Sequence, residues 1–159
     1  MIDEQEIMEG PITPQPGPQT TFAECSADVV FFGGSAGGGK SFAILLEPLY
    51  HIDNPDFGAV IFRRTTKQIT NEGGLWDTSR FLYSKIAGVD SIDYKLSHQF
   101  PAGAKITFAH MEYEKNRYDW QGSQIPLIMF DELTHFTWKQ FNYMLSRNRS
   151  TCGVPSRVR

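Results

Sequence analysis

A glycine-rich run, GGSAGGGKS at residues 33–41, constrains the fold of this chain more than any other feature. Counted from Gly34, it fits the pattern G-x-x-x-x-G-K-[S/T], in which glycines let backbone N–H groups curl around phosphate oxygens. Lys40 is expected to reach the β- and γ-phosphates of a nucleoside triphosphate, and the Ser41 hydroxyl to ligate Mg²⁺. The predicted phosphate-binding residues are Gly34, Ser35, Ala36, Gly37, Gly38, Gly39, Lys40 and Ser41.

The segments on either side of the loop support this interpretation. Residues 27–33 begin with ADVVFF, an apolar segment rich in β-branched and aromatic residues that predicts a buried strand. Residues 41–47 predict a helix, which Pro48 prevents from running far. A helix that begins near Lys40 directs its positive N-terminal end at the same anion. Because strand, glycine loop and helix follow in the order that a phosphate-binding loop requires, a chance match to a flexible loop is disfavoured.

A second motif, LIMFDE at residues 127–132, places two adjacent carboxylates at the end of an apolar segment. In a parallel sheet the carboxyl end of this strand opens onto the same crevice as the glycine loop. Asp131 is predicted to hold Mg²⁺ through water, because Mg²⁺ dehydrates reluctantly. Glu132 is predicted to polarise the attacking water as a general base. A strand that merely ends at a polar surface is the alternative, and the glycine loop earlier in the chain argues against it.

The other segments alternate between strand and helix patterns, which predicts an α/β sheet that is largely parallel. Strands are predicted for 27–33, 58–63, 94–98, 105–109 and 125–130, and helices for 41–50, 65–72, 75–86 and 138–145. Residues 1–17 are polar and rich in proline, so a flexible N-terminal arm is expected before a single domain at residues 18–159.

Composition excludes several classes of protein. The formal net charge of −3 leaves no overall basic surface for nucleic acid. Two cysteines are too few for a disulfide framework or a cysteine metal site. No apolar run approaches the length of a membrane span, and the acidic N-terminus is unlike a signal peptide. A soluble protein inside the cell is therefore expected.

From about Pro18 to Arg159 the chain resembles the ATPase half of large terminase subunits, the DNA-packaging motors of tailed bacteriophages. Gln19 lies in a segment similar to the family's element ahead of the glycine loop, where a glutamine contacts the adenine. Arg63 and Arg64 end a strand similar to the one that follows that loop. The five matching segments, in chain order, are residues 17–22, 31–41, 60–65, 130–136 and 145–150.

The resemblance implies a P-loop NTPase fold of the additional-strand class, with a mostly parallel sheet flanked by helices. It implies an Mg²⁺-dependent ATPase that couples ATP hydrolysis to translocation of double-stranded viral DNA into the procapsid. The implied partners are the viral DNA, the portal protein, a small terminase subunit and further copies of the chain in a ring, with no membrane. The implied location is the cytoplasm of the host cell.

Two departures from the family pattern matter. Full-length relatives continue into a two-metal nuclease domain, whereas this chain stops at Arg159, so we expect a C-terminally truncated fragment without nuclease activity. Many relatives carry an arginine before the glycine upstream of the second motif, and it acts on a neighbouring subunit's ATP. That position resembles Gln121 here. The candidate substitutes, or phosphate contacts, are Arg63, Arg64, Arg117, Arg147 and Arg149.

Two alternatives to a packaging ATPase stay open. One is a nucleotide-binding but catalytically silent assembly module, and turnover of ATP distinguishes it from a motor. The other is a different P-loop enzyme such as a helicase or a kinase. Gln19, the double arginine and the adjacent Asp131 and Glu132 argue against a small-molecule kinase, while DNA unwinding would identify a helicase.

Overall fold

Six strands form one sheet in the order β2-β3-β4-β1-β5-β6 in the computed structural model, which describes residues 11–34 and 39–159. The strands are β1 Gly58–Arg63, β2 Asp90–Ile92, β3 Ser97–Gln99, β4 Lys105–His110, β5 Leu127–Phe130 and β6 Arg157–Val158. The α-helices are α1 Pro18–Glu24, α2 Lys40–Leu46, α3 Thr66–Thr70, α4 Leu75–Tyr83 and α5 Trp138–Leu145. Short 3₁₀ helices cover Glu47–His51, Asp93–Lys95, Glu114–Trp120 and Leu133–His135. The predicted α/β sheet flanked by helices is confirmed.

The centre of the sheet is parallel and one edge is antiparallel. Strand β1 pairs in parallel with both β4 and β5, and β5 pairs in parallel with β6. Strand β3 pairs antiparallel with both β2 and β4. A short turn joins β3 to β4, so these two strands form a hairpin. Mixed sheets of this kind are common when a hairpin extends one edge of a parallel sheet. The predicted turn at residues 101–103 is this connection.

The prediction of a strand at residues 27–33 is wrong, because these residues form no regular strand. Val29 forms an isolated parallel bridge with Val158 of β6, supported by backbone hydrogen bonds on either side. Among the described residues the pairing is limited to this bridge. The order of the segments is nevertheless informative, since β6 lies between β5 and Val29. Strand β6 is therefore an additional strand. It lies between Val29, in the segment before the glycine loop, and β5, which leads into the second motif.

Both faces of the sheet are covered by apolar side chains. In β1, Ala59 and Ile61 face one buried cluster, with α2 and α4, while Val60 and Phe62 face the other, with α5. This alternation follows from the two-residue period of a strand, and it explains why β1 is apolar at consecutive positions. The described residues contain no helix with the length and apolar character needed to cross a membrane.

The helices that flank the second motif begin at strong local signals. Thr65 starts α3 and Thr137 starts α5, each as a capping box whose threonine hydroxyl accepts from the backbone N–H three residues later. Gln140 of α5 has a second role, because its amide also donates to the backbone carbonyls of Met111 and Tyr113. These contacts fix α5 against the loop that follows β4.

Candidate functional site

The first half of the site is the start of α2. Gly39 adopts a left-handed conformation with φ of 68°, and Lys40 is the first helical residue. The left-handed backbone conformation favours glycine here, and a Cβ at this position would also displace the buried amide end of the Gln19 side chain. Four of the predicted phosphate-binding residues, Ser35, Ala36, Gly37 and Gly38, lie outside the described residues.

The Lys40 side chain reaches back to Gly34, on the other side of the glycine loop. Its Nζ donates to the carbonyl oxygen of Gly34 at 2.7 Å. Both residues line a cavity of about 590 Å³, which falls in the size range of small-molecule sites. The lysine charge is therefore presented to this cavity at the N-terminal end of α2, where an anion is favoured.

The second half of the site is the carboxyl end of β5. Asp131 follows β5 directly and is 4% exposed, and its Oδ2 lies 3.4 Å from Oγ of Ser41 in α2. Arg63, the last residue of β1, donates from Nε to the same Oδ2 at 2.7 Å. A second guanidinium nitrogen of Arg63 lies 2.5 Å from that atom. The parallel pairing of β1 with β5 brings Arg63 and Asp131 together, since both lie at the carboxyl ends of neighbouring strands.

Glu132 has an unusual backbone conformation. Its φ of 58° and ψ of 56° place it in the left-handed region, which a residue with a side chain adopts at a cost. The conformation turns the chain sharply after Asp131, and the Glu132 side chain is exposed and lines the same cavity as Lys40. Asp131 therefore turns inward to Ser41 while its neighbour faces the cavity.

The cavity is lined by both charged and aromatic side chains. Its charged groups, within the described residues, are those of Lys40, Asp131, Glu132 and Arg159. Aromatic side chains from α1, the segment before the loop, β5 and α5 supply much of the rest, namely Phe22, Phe31, Phe32, Phe130 and Phe141. This arrangement suits a ligand with a charged part and a flat apolar part.

Gln19 lies beneath the loop and is 3% exposed. Its Nε2 donates to the carbonyl oxygen of Gly39 at 3.1 Å, and its Oε1 accepts from the backbone N–H of Gln15 at 2.9 Å. Its side chain is not among the described residues that line the cavity. The amide therefore supports the end of the glycine loop in this structure, and a contact with adenine stays a prediction.

The arginines proposed from the sequence lie in two places. Arg63 contacts Asp131, and Arg64 donates to the carbonyl oxygen of His135 at 2.5 Å, so both lie beside the second motif. Arg117 pairs with Glu114, and its guanidinium lies over the Tyr118 ring. Arg147 contacts Ser146 and Tyr143, and Arg149 is exposed. None of these five arginines is among the described residues that line the cavity.

Comparison with known proteins identifies the family of this chain. A family model described as the N-terminal part of the T4likevirus-type terminase large subunit matches residues 31–159. The chain belongs to this terminase family. A search of curated proteins found no match.

Two solved structures of the large terminase ATPase domain of Thermus phage P74-26 share the fold of this terminase chain. The first has a TM-score of 0.62 at 12% identity and covers 91% of this chain and 64% of that chain. The second, which carries an arginine-to-alanine substitution, has a TM-score of 0.58 at 11% identity and covers 85% of this chain and 62% of that chain. The chain therefore spans less than two thirds of the length of these structures.

Sequence reasoning missed Arg159, which also lines the cavity. Its side chain is fully buried, with Nε donating to Oε1 of Glu47 at 3.0 Å and the terminal nitrogens donating to the carbonyl oxygens of Ala27 and Cys25. Burial raises the pKa of Glu47, although the charge of Arg159 opposes this shift. No local pattern marks Arg159, because these partners lie 112, 132 and 134 residues away in the chain.

The donor set at Ser41 and Asp131 fits Mg²⁺. A hydroxyl and a carboxylate supply the hard oxygen ligands that Mg²⁺ prefers, and these two oxygens lie 3.4 Å apart. The described residues contain no group of three or more His, Cys, Asp or Glu side chains that could hold a metal. Any remaining ligands would therefore be water and phosphate oxygens, which is how Mg²⁺ is usually held beside a nucleotide.

Proposed function

We propose that this chain is the ATP-hydrolysing motor domain of a large terminase subunit and powers the packaging of double-stranded DNA into a viral procapsid. The observation that carries the proposal is the convergence of the two motifs. Ser41 of α2 lies 3.4 Å from Asp131, and Lys40, Asp131 and Glu132 line one cavity. Membership of the terminase family supports the assignment to packaging.

Each side chain has a separate role in the proposed reaction. Lys40 binds the β- and γ-phosphates, where its charge offsets that of the triphosphate. Ser41 and Asp131 hold Mg²⁺, which when bound supplies positive charge to the phosphate oxygens. Glu132 accepts a proton at its carboxylate from the attacking water, and its exposed position in the cavity leaves room for that water. Gln19 steadies the loop through Gly39.

The partners proposed are those of a packaging motor. They are double-stranded viral DNA, the portal protein, a small terminase subunit and further copies of this chain in a ring. In a ring, an arginine from one subunit stabilises charge on its neighbour's triphosphate and contributes orders of magnitude in rate. Arg117, Arg147 and Arg149 are candidates for that role, since Arg63 and Arg64 contact Asp131 and His135 of their own chain. No nuclease activity is proposed for these residues.

Steady-state hydrolysis of Mg-ATP by the full chain tests this proposal. Glu132→Gln should retain binding of ATP but lose at least about a hundredfold in rate, because general bases contribute about that much or more. Glu72→Gln is the matched control, since Glu72 is exposed in the loop before α4 and should leave the rate unchanged.

Two results would contradict the proposal. Full activity of Glu132→Gln would remove the general base from its assigned role. Binding of ATP without turnover at any protein concentration would instead identify a nucleotide-binding but catalytically silent module. A rate per subunit that rises with protein concentration would support an arginine supplied by a neighbouring copy.

A further inference from the structure

We propose that Arg63 competes with Mg²⁺ for Oδ2 of Asp131, so that this oxygen is held either by the guanidinium or by the metal, directly or through water. This inference rests on the proposed function, because it concerns the same metal site. The inference adds an order of events at the metal site, in which Arg63 leaves Asp131 as the metal and the nucleotide bind.

Within the described residues, the side-chain contacts of Asp131 converge on one of its carboxylate oxygens. Oδ2 accepts from Nε of Arg63 at 2.7 Å, lies 2.5 Å from a terminal guanidinium nitrogen and lies 3.4 Å from Oγ of Ser41. Three donors around one carboxylate oxygen leave no lone pair of that oxygen for a metal. A metal bond at Oδ2, or an ordered water between the metal and Oδ2, therefore requires at least one donor to leave.

Charge and burial make Arg63 the donor that has to leave. The Ser41 hydroxyl is itself a predicted metal ligand, so it stays when the metal binds. Arg63 carries a full positive charge beside the position where a doubly charged ion would bind, and the Asp131 side chain is only 5% exposed. Like charges repel strongly in such a poorly solvated position. The two cations are thus alternatives for one carboxylate.

The fold allows the Arg63 side chain to move without moving the strand. Its backbone is fixed at the end of β1, in register with His110 of β4, and its carbonyl oxygen accepts from the N–H of Met111. Its side chain is 20% exposed, which gives the guanidinium a route to solvent. Arg64 is no substitute, because its guanidinium is engaged by the carbonyl oxygen of His135.

Binding of Mn²⁺ in the presence of ADP, followed by electron paramagnetic resonance, measures the competition without any turnover. Arg63→Gln should bind Mn²⁺ at least about fivefold more tightly than the parent chain, the lower end of typical coupling between two binding events. Arg80→Gln is the matched control, since Arg80 lies in α4, is half exposed and is not among the described residues that line the cavity, so it should leave the affinity unchanged. Arg63→Lys should fall between the two, because lysine keeps the charge but lacks the forked donors.

The outcomes separate this inference from the proposed function. Asp131→Asn should abolish tight binding of Mn²⁺ both in the parent chain and in the Arg63→Gln variant. That loss would show that the bound Mn²⁺ is the ion at Asp131. Equal or weaker binding in both Arg63 variants, with native circular dichroism, would overturn the competition and show that Arg63 orients Asp131 for the metal. If neither the parent chain nor any variant bound Mn²⁺ with ADP, the metal site of the proposed function would fail as well.

Discussion

Acidification should destabilise this domain through one buried histidine. His98 of β3 is fully buried between two serine hydroxyls, with Ser79 Oγ 2.8 Å from Nε2 and Ser91 Oγ 2.8 Å from Nδ1. Its ring stacks on Trp76 with 4.5 Å between ring centroids. Burial, with the charge of Arg80 adding to it, lowers the pKa of His98 from 6.5 to about 4, although Asp93 acts in the opposite direction.

The size of the effect follows from the two pKa values. The unfolded chain takes up a proton near pH 6.5 and the folded chain only near pH 4, so the neutral ring stabilises the fold above pH 6.5. That stability is lost as the pH falls from 6.5 towards 4. The loss is about 2 kcal/mol at pH 5 and reaches about 3 kcal/mol below pH 4. One or two kcal/mol is a large part of the stability of a domain of this size.

Urea unfolding at pH 7.5 and pH 5, compared between the parent chain and His98→Gln, measures this contribution. The variant should lose about 2 kcal/mol less on acidification than the parent chain, because glutamine does not titrate. The comparison is needed because burial also lowers the pKa of His51, which adds a pH dependence of the same sign. His135→Gln, at an exposed position, is the matched control. Equal losses in His98→Gln and the parent chain would refute the reasoning.

Two further predictions concern Lys40 and Arg159. Lys40→Ala should weaken binding of a nonhydrolysable ATP analogue at least about tenfold in calorimetry, because a charge-assisted contact with phosphate is lost. The exposed Lys67→Ala should bind normally, and unchanged affinity in Lys40→Ala would remove Lys40 from the site. Arg159→Met should cost about 3–5 kcal/mol in chemical denaturation by leaving Glu47 buried without its partner, and adding Glu47→Gln should restore part of the loss. A cost below about 1 kcal/mol would contradict this account of the pair.

Elements with strong local signals could be predicted closely from the sequence. The bounds of β1 and α5 match the predicted ranges of 58–63 and 138–145. Strand β1 is apolar at consecutive positions, and α5 begins at a capping box, so each is specified by neighbours in the chain. Helix α1 was not predicted, although the proline at its first position is a recognised start signal.

Elements that depend on distant partners were predicted less well. Residues 27–33 have the composition of a strand, yet among the described residues only Val29 forms a bridge, and its partner Val158 lies 129 residues further along the chain. The same reasoning applies to Gln19, whose polar side chain is ordinary in the sequence but is buried against Gly39 in the fold. Neither outcome is encoded within a short window of residues.

The sequence by itself determined the two motifs on which the proposed chemistry rests. The spacing of glycine, lysine and serine in the loop and the adjacent carboxylates after an apolar strand follow from local geometry, so they could be recognised without a structure. Only the tertiary structure decided which charges meet. Arg63 contacts Asp131 across 68 residues and Arg159 contacts Glu47 across 112, because the order of strands in the sheet, and not distance along the chain, makes them neighbours.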